Sequence, residues 1–236
     1  MTSTSPRRRR GCAIGLVVAL VVVVGGAVLA DRVGRSIAQD VAADAVRSQL
    51  ATSGDVQVEV DGVPFLTQLV SGTLGEVHLT VDEATVSGID LTDLVVTASD
   101  VKIREPRSAR QVVATATVPL AQIEQTLREQ TGWDLTATIE GDTLVATGAV
   151  VGIPVSATFT FSAAGTEGLL AGLQGVTLGG LTVDVASLPD GLGSRLSDLG
   201  SLTGDALAGG EITDVQVQED GLRVTAQLQD VDAADL

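Results

Sequence analysis

One histidine, one cysteine, thirty carboxylates and fourteen basic side chains are what this chain of 236 residues offers for chemistry. His78 lies in Glu76-Val77-His78-Leu79-Thr80-Val81, at a polar position of an alternating stretch, so its plain reading is an exposed strand side chain. Ser-His-Asp catalysis would have to use it, because the hydroxyl needs a base poised near neutral pH. No Gly-x-Ser-x-Gly elbow accompanies it. Cys12 falls in an apolar N-terminal stretch. That placement removes Cys-His catalysis and leaves zinc sites of the His/Cys type without ligands. There is no Walker loop, and the glycines between Gly165 and Gly180 lack phosphate-binding spacing. Two acidic clusters, Asp82/Glu83 and Glu219/Asp220, are the candidates for paired-carboxylate or calcium chemistry. Both fall in or near turns, where acids are common. Arg104, Arg107 and Arg110 cluster in one connection and are of the type that meets a lipid phosphate, although a solvated loop is the plainer reading. The expectation is therefore no catalytic residue, no metal ligand and no cofactor.

The elements around these residues can be read from periodicity. Residues 31–51 carry Val33, Ile37, Val41 and Leu50 at helical spacing, with Ala42, Ala45 and Val46 beside them. Val56 to Val60 alternates as a half-buried strand. Residues 63–70 predict a short helix with Pro64 in its first turn. A β region follows, over 76–86, 91–103 and 111–118. Its alternation shifts parity near Asp82-Glu83, which predicts a bulge or bend. Residues 119–130 predict a second helix with a Leu120, Ile123, Leu127 stripe. A hairpin over 133–139 and 143–150 comes next, then a strand through Val155, Ala157, Phe159 and Phe161. Residues 163–180, rich in Gly and Leu, give no clear period. A strand is expected at 181–185, a weak helix at 188–199, a loop at 201–210 and a closing hairpin over 211–217 and 222–228. An acidic tail from 230 is expected to fray. The fold class is α+β with a long antiparallel sheet.

Gly11 to Ala30 contains no charged residue and follows Arg7, Arg8, Arg9 and Arg10. Twenty helical residues rise about 30 Å, the thickness of a bilayer's hydrocarbon core. The arginines favour the cytoplasmic side and send the rest of the chain outward. The layout is a basic tail over 1–10, a membrane segment over 11–30, an exported domain over 31–230 and an acidic tail over 231–236. Two fates of the segment fit the residues. As an anchor it stays; as a signal peptide it is cut after Ala30. Its length exceeds the usual signal-peptide core and favours the anchor. The net charge is -16. Beyond Ala30 there are ten basic against thirty acidic residues, or -20. Such a surface repels phosphate backbones, so no nucleic-acid partner is expected. With Cys12 the only cysteine, the exported part has no disulfide. It must rest on an aliphatic core, in keeping with 44% hydrophobic residues, three Phe, one Trp and no Tyr. The same soft interior suits a cavity for acyl chains.

Three segments, Pro64 to Gly72 with the following Glu76-Val77, then Gly88-Ile89-Asp90-Leu91-Thr92-Asp93-Leu94, and the Glu219-Asp220-Gly221-Leu222-Arg223-Val224 turn, together with the overall layout, resemble the actinobacterial LmeA-type phospholipid-binding proteins. The resemblance spans most of residues 31–230. It implies a cell-envelope protein that binds phospholipid, linked in mycobacteria to the mannan elongation of lipomannan. The implied fold resembles tubular lipid-binding domains, a long curved antiparallel sheet wrapped on helices around an apolar groove. The expected partners are phospholipid or another acyl lipid and the membrane. Apolar lining is expected from Phe65, Leu66, Leu69 and Val70 on the short helix, Leu120, Ile123 and Leu127 on the second, and Phe159 and Phe161 on a strand. A non-catalytic scaffold of the envelope predicts instead a solid core with no tunnel. A carboxylate hydrolase predicts two buried acids about 5–10 Å apart across one cleft.

Overall fold

The computed structural model describes residues 29–47, 51–52, 54–86, 88–150, 152–166, 168–183 and 210–232. The fold class is α+β, mostly antiparallel sheet with three helices among the described residues. The expected membrane segment lies outside those residues except for Leu29 and Ala30, as do the expected helix at 188–199 and nearly all of the loop at 201–210. No described helix is long and apolar enough to cross a membrane.

The first helix, α1, is described over residues 29–47, and Ala51, the expected end of that helix, already belongs to a strand. Strands β1 (Ala51–Thr52) and β2 (Val56–Asp61) follow. Then come α2 (Phe65–Ser71) and the long hairpins β3 (Thr73–Val86), β4 (Ile89–Lys102) and β5 (Ser108–Pro119). Helix α3 (Leu120–Thr131) leads into the meander β6 (Leu135–Glu140), β7 (Thr143–Val150), β8 (Ile153–Ala163), β9 (Leu169–Leu178) and β10 (Leu181–Val183). The chain closes with β11 (Glu211–Gln218) and β12 (Gly221–Asp232).

The strands divide between two sheets rather than forming one. Seven strands run β1-β3-β4-β5-β12-β11 with β2 also on β3, and five run β10-β9-β8-β7-β6. The division has a local cause. β12 takes the free edge of β5 along its whole length, from Gly221 opposite Pro119 to Asp232 opposite Ser108. The chain leaving β5 must turn away, and it does so as α3. Val231 and Asp232 are therefore paired rather than frayed, while 233–236 lie outside the described residues.

Each sheet has its own core. In the larger one Val56, Val58, Val81, Ala84 and Leu94 pack with Ala43 of α1. In the smaller one Leu135, Ala137, Leu144, Ala146, Ala157, Phe159 and Val176 pack with Leu127 of α3. The expected parity shift in β3 is present, since burial moves from Val81 to Ala84. β3 nevertheless keeps its register with β4 through it. The extra residue lies on the edge chain, which advances four residues from Thr52 to Val56 while β3 moves three, from Ala84 to Val81. Gly54 sits in that bulge, where a Cβ would lie 2.7 Å from the Asp82 Cβ.

Helix α1 departs most from its expected packing. Asp31, Ala42, Ala43 and Val46 are covered, whereas Leu29, Val33, Ile37 and Val41 are exposed. The helix packs through its small residues and turns its larger apolar stripe outward. Among the missed elements, β9 escaped notice because Gly172 and Gly175 interrupt the side-chain pattern and a register shift at Thr158/Phe159 breaks its alternation.

Candidate functional site

Helix α3 is built to bridge the two sheets. Pro119 precedes it, Gly132 ends it in the left-handed region at φ 73°, and Arg128 lies in its last turn. Its N-terminus is tied to the larger sheet, because the Leu120 N–H donates to the Asp220 carbonyl at 3.2 Å. Its middle is tied to the smaller sheet, because the Ala137 N–H donates to Glu124 Oε1 at 2.7 Å. Arg128 pairs with Asp134 just beyond the helix.

Held this way, α3 forms one wall of a half-open pocket of about 310 Å³. Ile123 and Leu127 come from the helix. Leu144, Phe159, Phe161, Leu169 and Ala171 come from the smaller sheet. Val118 and Leu222 come from the larger sheet, and Gly88 and Ile89 from the β3–β4 turn. Gln122, Thr126 and Glu129, all on α3, are the polar residues of its lining. Gln122 is itself buried and accepts the Asp90 N–H at 3.3 Å, which anchors the β3–β4 turn to the helix. An aliphatic and aromatic wall with a few polar groups on one side is the form expected of a site for apolar ligands, and the volume lies at the small end of the usual range of roughly 300–1,000 Å³.

Four of the nine residues expected to line an apolar site, Ile123, Leu127, Phe159 and Phe161, meet in this pocket. Leu120 packs beside them against the same core. The four on α2 lie elsewhere: Phe65 is fully buried, and Leu66, Leu69 and Val70 are exposed on the helix surface. Sequence reasoning missed Leu169 and Ala171, which lie on the unrecognised β9. It also missed Val118 and Leu222, whose inward direction could have been read from the alternation of β5 and β12.

The arginine and histidine candidates have partners. Arg107 pairs with Glu105 at 3.3 Å and Arg110 with Asp100 at 3.2 Å, and Arg104 donates to the Val70 carbonyl at 2.5 Å. His78 is half-covered on the polar face of the larger sheet. Its Nε2 lies 3.3 Å from Asp61 Oδ2 and 3.6 Å from Glu76 Oε1, and its Nδ1 lies 3.1 Å from Thr97 Oγ1. It is not among the residues lining the pocket. Asp61, Glu76 and His78 are the one group of three metal-capable side chains within 4.8 Å of one another among the described residues. Two other carboxylates are held below their usual range. Asp31 is held there chiefly by the Leu66 and Phe65 backbone N–H groups, and Asp55 chiefly by the Gln57 side-chain amide.

A family model described as LmeA-like phospholipid-binding matches residues 29–227. Comparison with curated proteins and with solved structures gives no match.

Proposed function

Because the chain belongs to the LmeA-like phospholipid-binding family, we propose that it is an exported, membrane-tethered protein that binds phospholipid or another acyl-chain lipid in the cell envelope. The observation that carries the reading is the apolar pocket under α3, whose walls come from both sheets. Its size admits part of a two-chain lipid, so an acyl chain enters along the apolar walls while the headgroup meets the polar residues of α3, Gln122, Thr126 and Glu129. The curved sheet around an apolar groove belongs to this proposal, as does a supporting role in lipomannan assembly. The arginines Arg7 to Arg10 and the uncharged stretch Gly11 to Ala30 support tethering with the domain outside the cytoplasm. We read the protein as a carrier or presenter of lipid rather than a catalyst, in keeping with the phospholipid-binding description of its family and a pocket lined mostly by apolar side chains.

The test uses protein beginning at residue 29, purified and extracted for mass spectrometry, together with uptake of a fluorescent phospholipid. Native protein is expected to carry or take up lipid. Ala171→Phe, which places a large ring in the pocket, is expected to keep a cooperative circular dichroism melt and lose uptake. Native protein that arrives without lipid and takes none up would remove the proposal.

A further inference from the structure

Most of the exposed large apolar side chains lie on two helices. On α1 they are Leu29, Val33, Ile37 and Val41. They are spaced by four, so they form one stripe along the helix. The opposite side, with Asp31, Ala42, Ala43 and Val46, faces the protein. An ordinary amphipathic helix turns its large apolar residues toward the core and small or polar ones outward. α1 does the reverse.

Helix α2 extends the same surface. Val63 just before it, and Leu66, Leu69 and Val70 on it, are exposed as well. The two helices are fixed to each other. The Leu66 N–H donates to Asp31 Oδ1 at 2.7 Å, and a Cβ on Gly34 would lie 3.3 Å from Leu66 Cδ2. Among the described residues only Ile153, Leu170 and Leu181 are large, apolar and exposed elsewhere.

The position of the stripe in the chain identifies what covers it. Leu29 is the next-to-last residue of the uncharged run Gly11 to Ala30, which is long enough to span a bilayer. Val33 to Val41 lie only about 5–17 Å along the helix from Ala30. A spanning segment that close keeps the bilayer surface at high effective concentration beside the stripe. We propose that α1 lies in the plane of the membrane interface, with Leu29, Val33, Ile37 and Val41 in the boundary between headgroups and acyl chains and α2 docked beside them. The domain then sits on the bilayer in a fixed orientation rather than swinging from a tether. The proposal rests on residues 11–30 spanning the membrane, and it is independent of what the pocket under α3 binds.

The full chain with Cys12→Ser supplies the test. Single cysteines at positions 37, 41, 69 and 142 carry a nitroxide, and each protein is reconstituted into phosphatidylcholine/phosphatidylglycerol vesicles. Position 142, in the β6–β7 turn, is the aqueous reference. Oxygen, which concentrates in the bilayer, and a water-soluble nickel chelate compete to relax the label. The ratio of oxygen to nickel accessibility is expected to be several-fold higher at 37, 41 and 69 than at 142. Equal ratios at all four positions overturn the proposal. Labels shielded from both reagents with spin–spin broadening between molecules also overturn it, because a second copy then covers the stripe. Protein that fails to float with the vesicles overturns it by removing the spanning segment. The double variant Ile37→Glu/Val41→Glu, changed only on the exposed side of α1, keeps the melt and flotation of the native chain. It is expected to raise nickel accessibility at position 69 several-fold, and an unchanged value counts against docking.

Discussion

Asp31 illustrates how one side chain acquires a role that its position in the sequence conceals. In the sequence it is simply the first acid after an apolar run. In the fold it caps another helix, accepting the N–H of Leu66, where Pro64 at the start of α2 supplies no side-chain cap. That bond holds its carboxyl below the usual range, because the fold favours the charged form. The sign of the pH dependence follows. Stability from the ionised group is fully present above the unfolded value of about 4 and is lost as pH falls through the lower folded value. Asp31→Ala is expected to unfold more readily than the native protein at pH 7, with the gap narrowing below about pH 4 in urea titrations run at each pH. The apolar residues of the smaller sheet and α3 separate by the same logic of surroundings. Leu135 is enclosed in the core of the smaller sheet, whereas Ile123 is half-buried with one side on open pocket. Leu135→Ala should cost about 2–5 kcal/mol by denaturant unfolding. Ile123→Ala should cost about 1–2 kcal/mol and leave lipid uptake in place, since it removes fewer packed atoms and widens the cavity.

Elements were legible where one periodic signal dominated. Val56 to Val60, the α3 stripe and the Val155 to Phe161 strand each follow a single period, and each appears close to its expected span. β9 was not legible, because its two glycines contribute no side chain to the pattern and an extra residue, Gln174 between Leu173 and Gly175, shifts its register against β8 and breaks its alternation. The packing direction of α1 was not legible for a different reason. Periodicity shows that an apolar stripe exists, but whether it faces core or solvent depends on which residues the neighbouring sheet has room for. Close approaches are similarly hidden. Gly221 reads as a turn glycine, yet it opens β12 with a backbone so near β5 that a Cβ would lie 2.1 Å from the Val118 carbonyl oxygen. Gly221→Ala must push β12 off β5 at the end that borders the pocket. A loss of about 1–3 kcal/mol is expected. Amide exchange should accelerate at Val118 and Leu222 first, whereas an effect confined to the Glu219-Asp220 turn would mean the approach is relieved locally.

At the scale of the molecule, one topological decision creates the pocket. β12 occupies the edge of β5, α3 is forced away from the first sheet, and the space left between the sheets is lined by both. No segment of the sequence contains that site. Its apolar residues could be named individually, but their meeting depends on a pairing between residues about a hundred positions apart. A pocket made at a junction couples its contents to the stability of the whole, because emptying it removes contacts from both sheets and α3 together. A lipid that binds the folded protein alone stabilises it by mass action, by about 2.7 kcal/mol at a hundredfold excess over its dissociation constant. For a domain of this size that corresponds to roughly 5–10 °C in melting temperature. Delipidated protein is therefore expected to melt lower by about that margin and to recover when phospholipid is added back. Ala171→Phe should melt at one temperature with or without lipid, because its pocket is filled covalently. If the variant responds to lipid as strongly as the native chain, the stabilising lipid sits elsewhere, and the exposed apolar surface of α1 and α2 becomes the place to look.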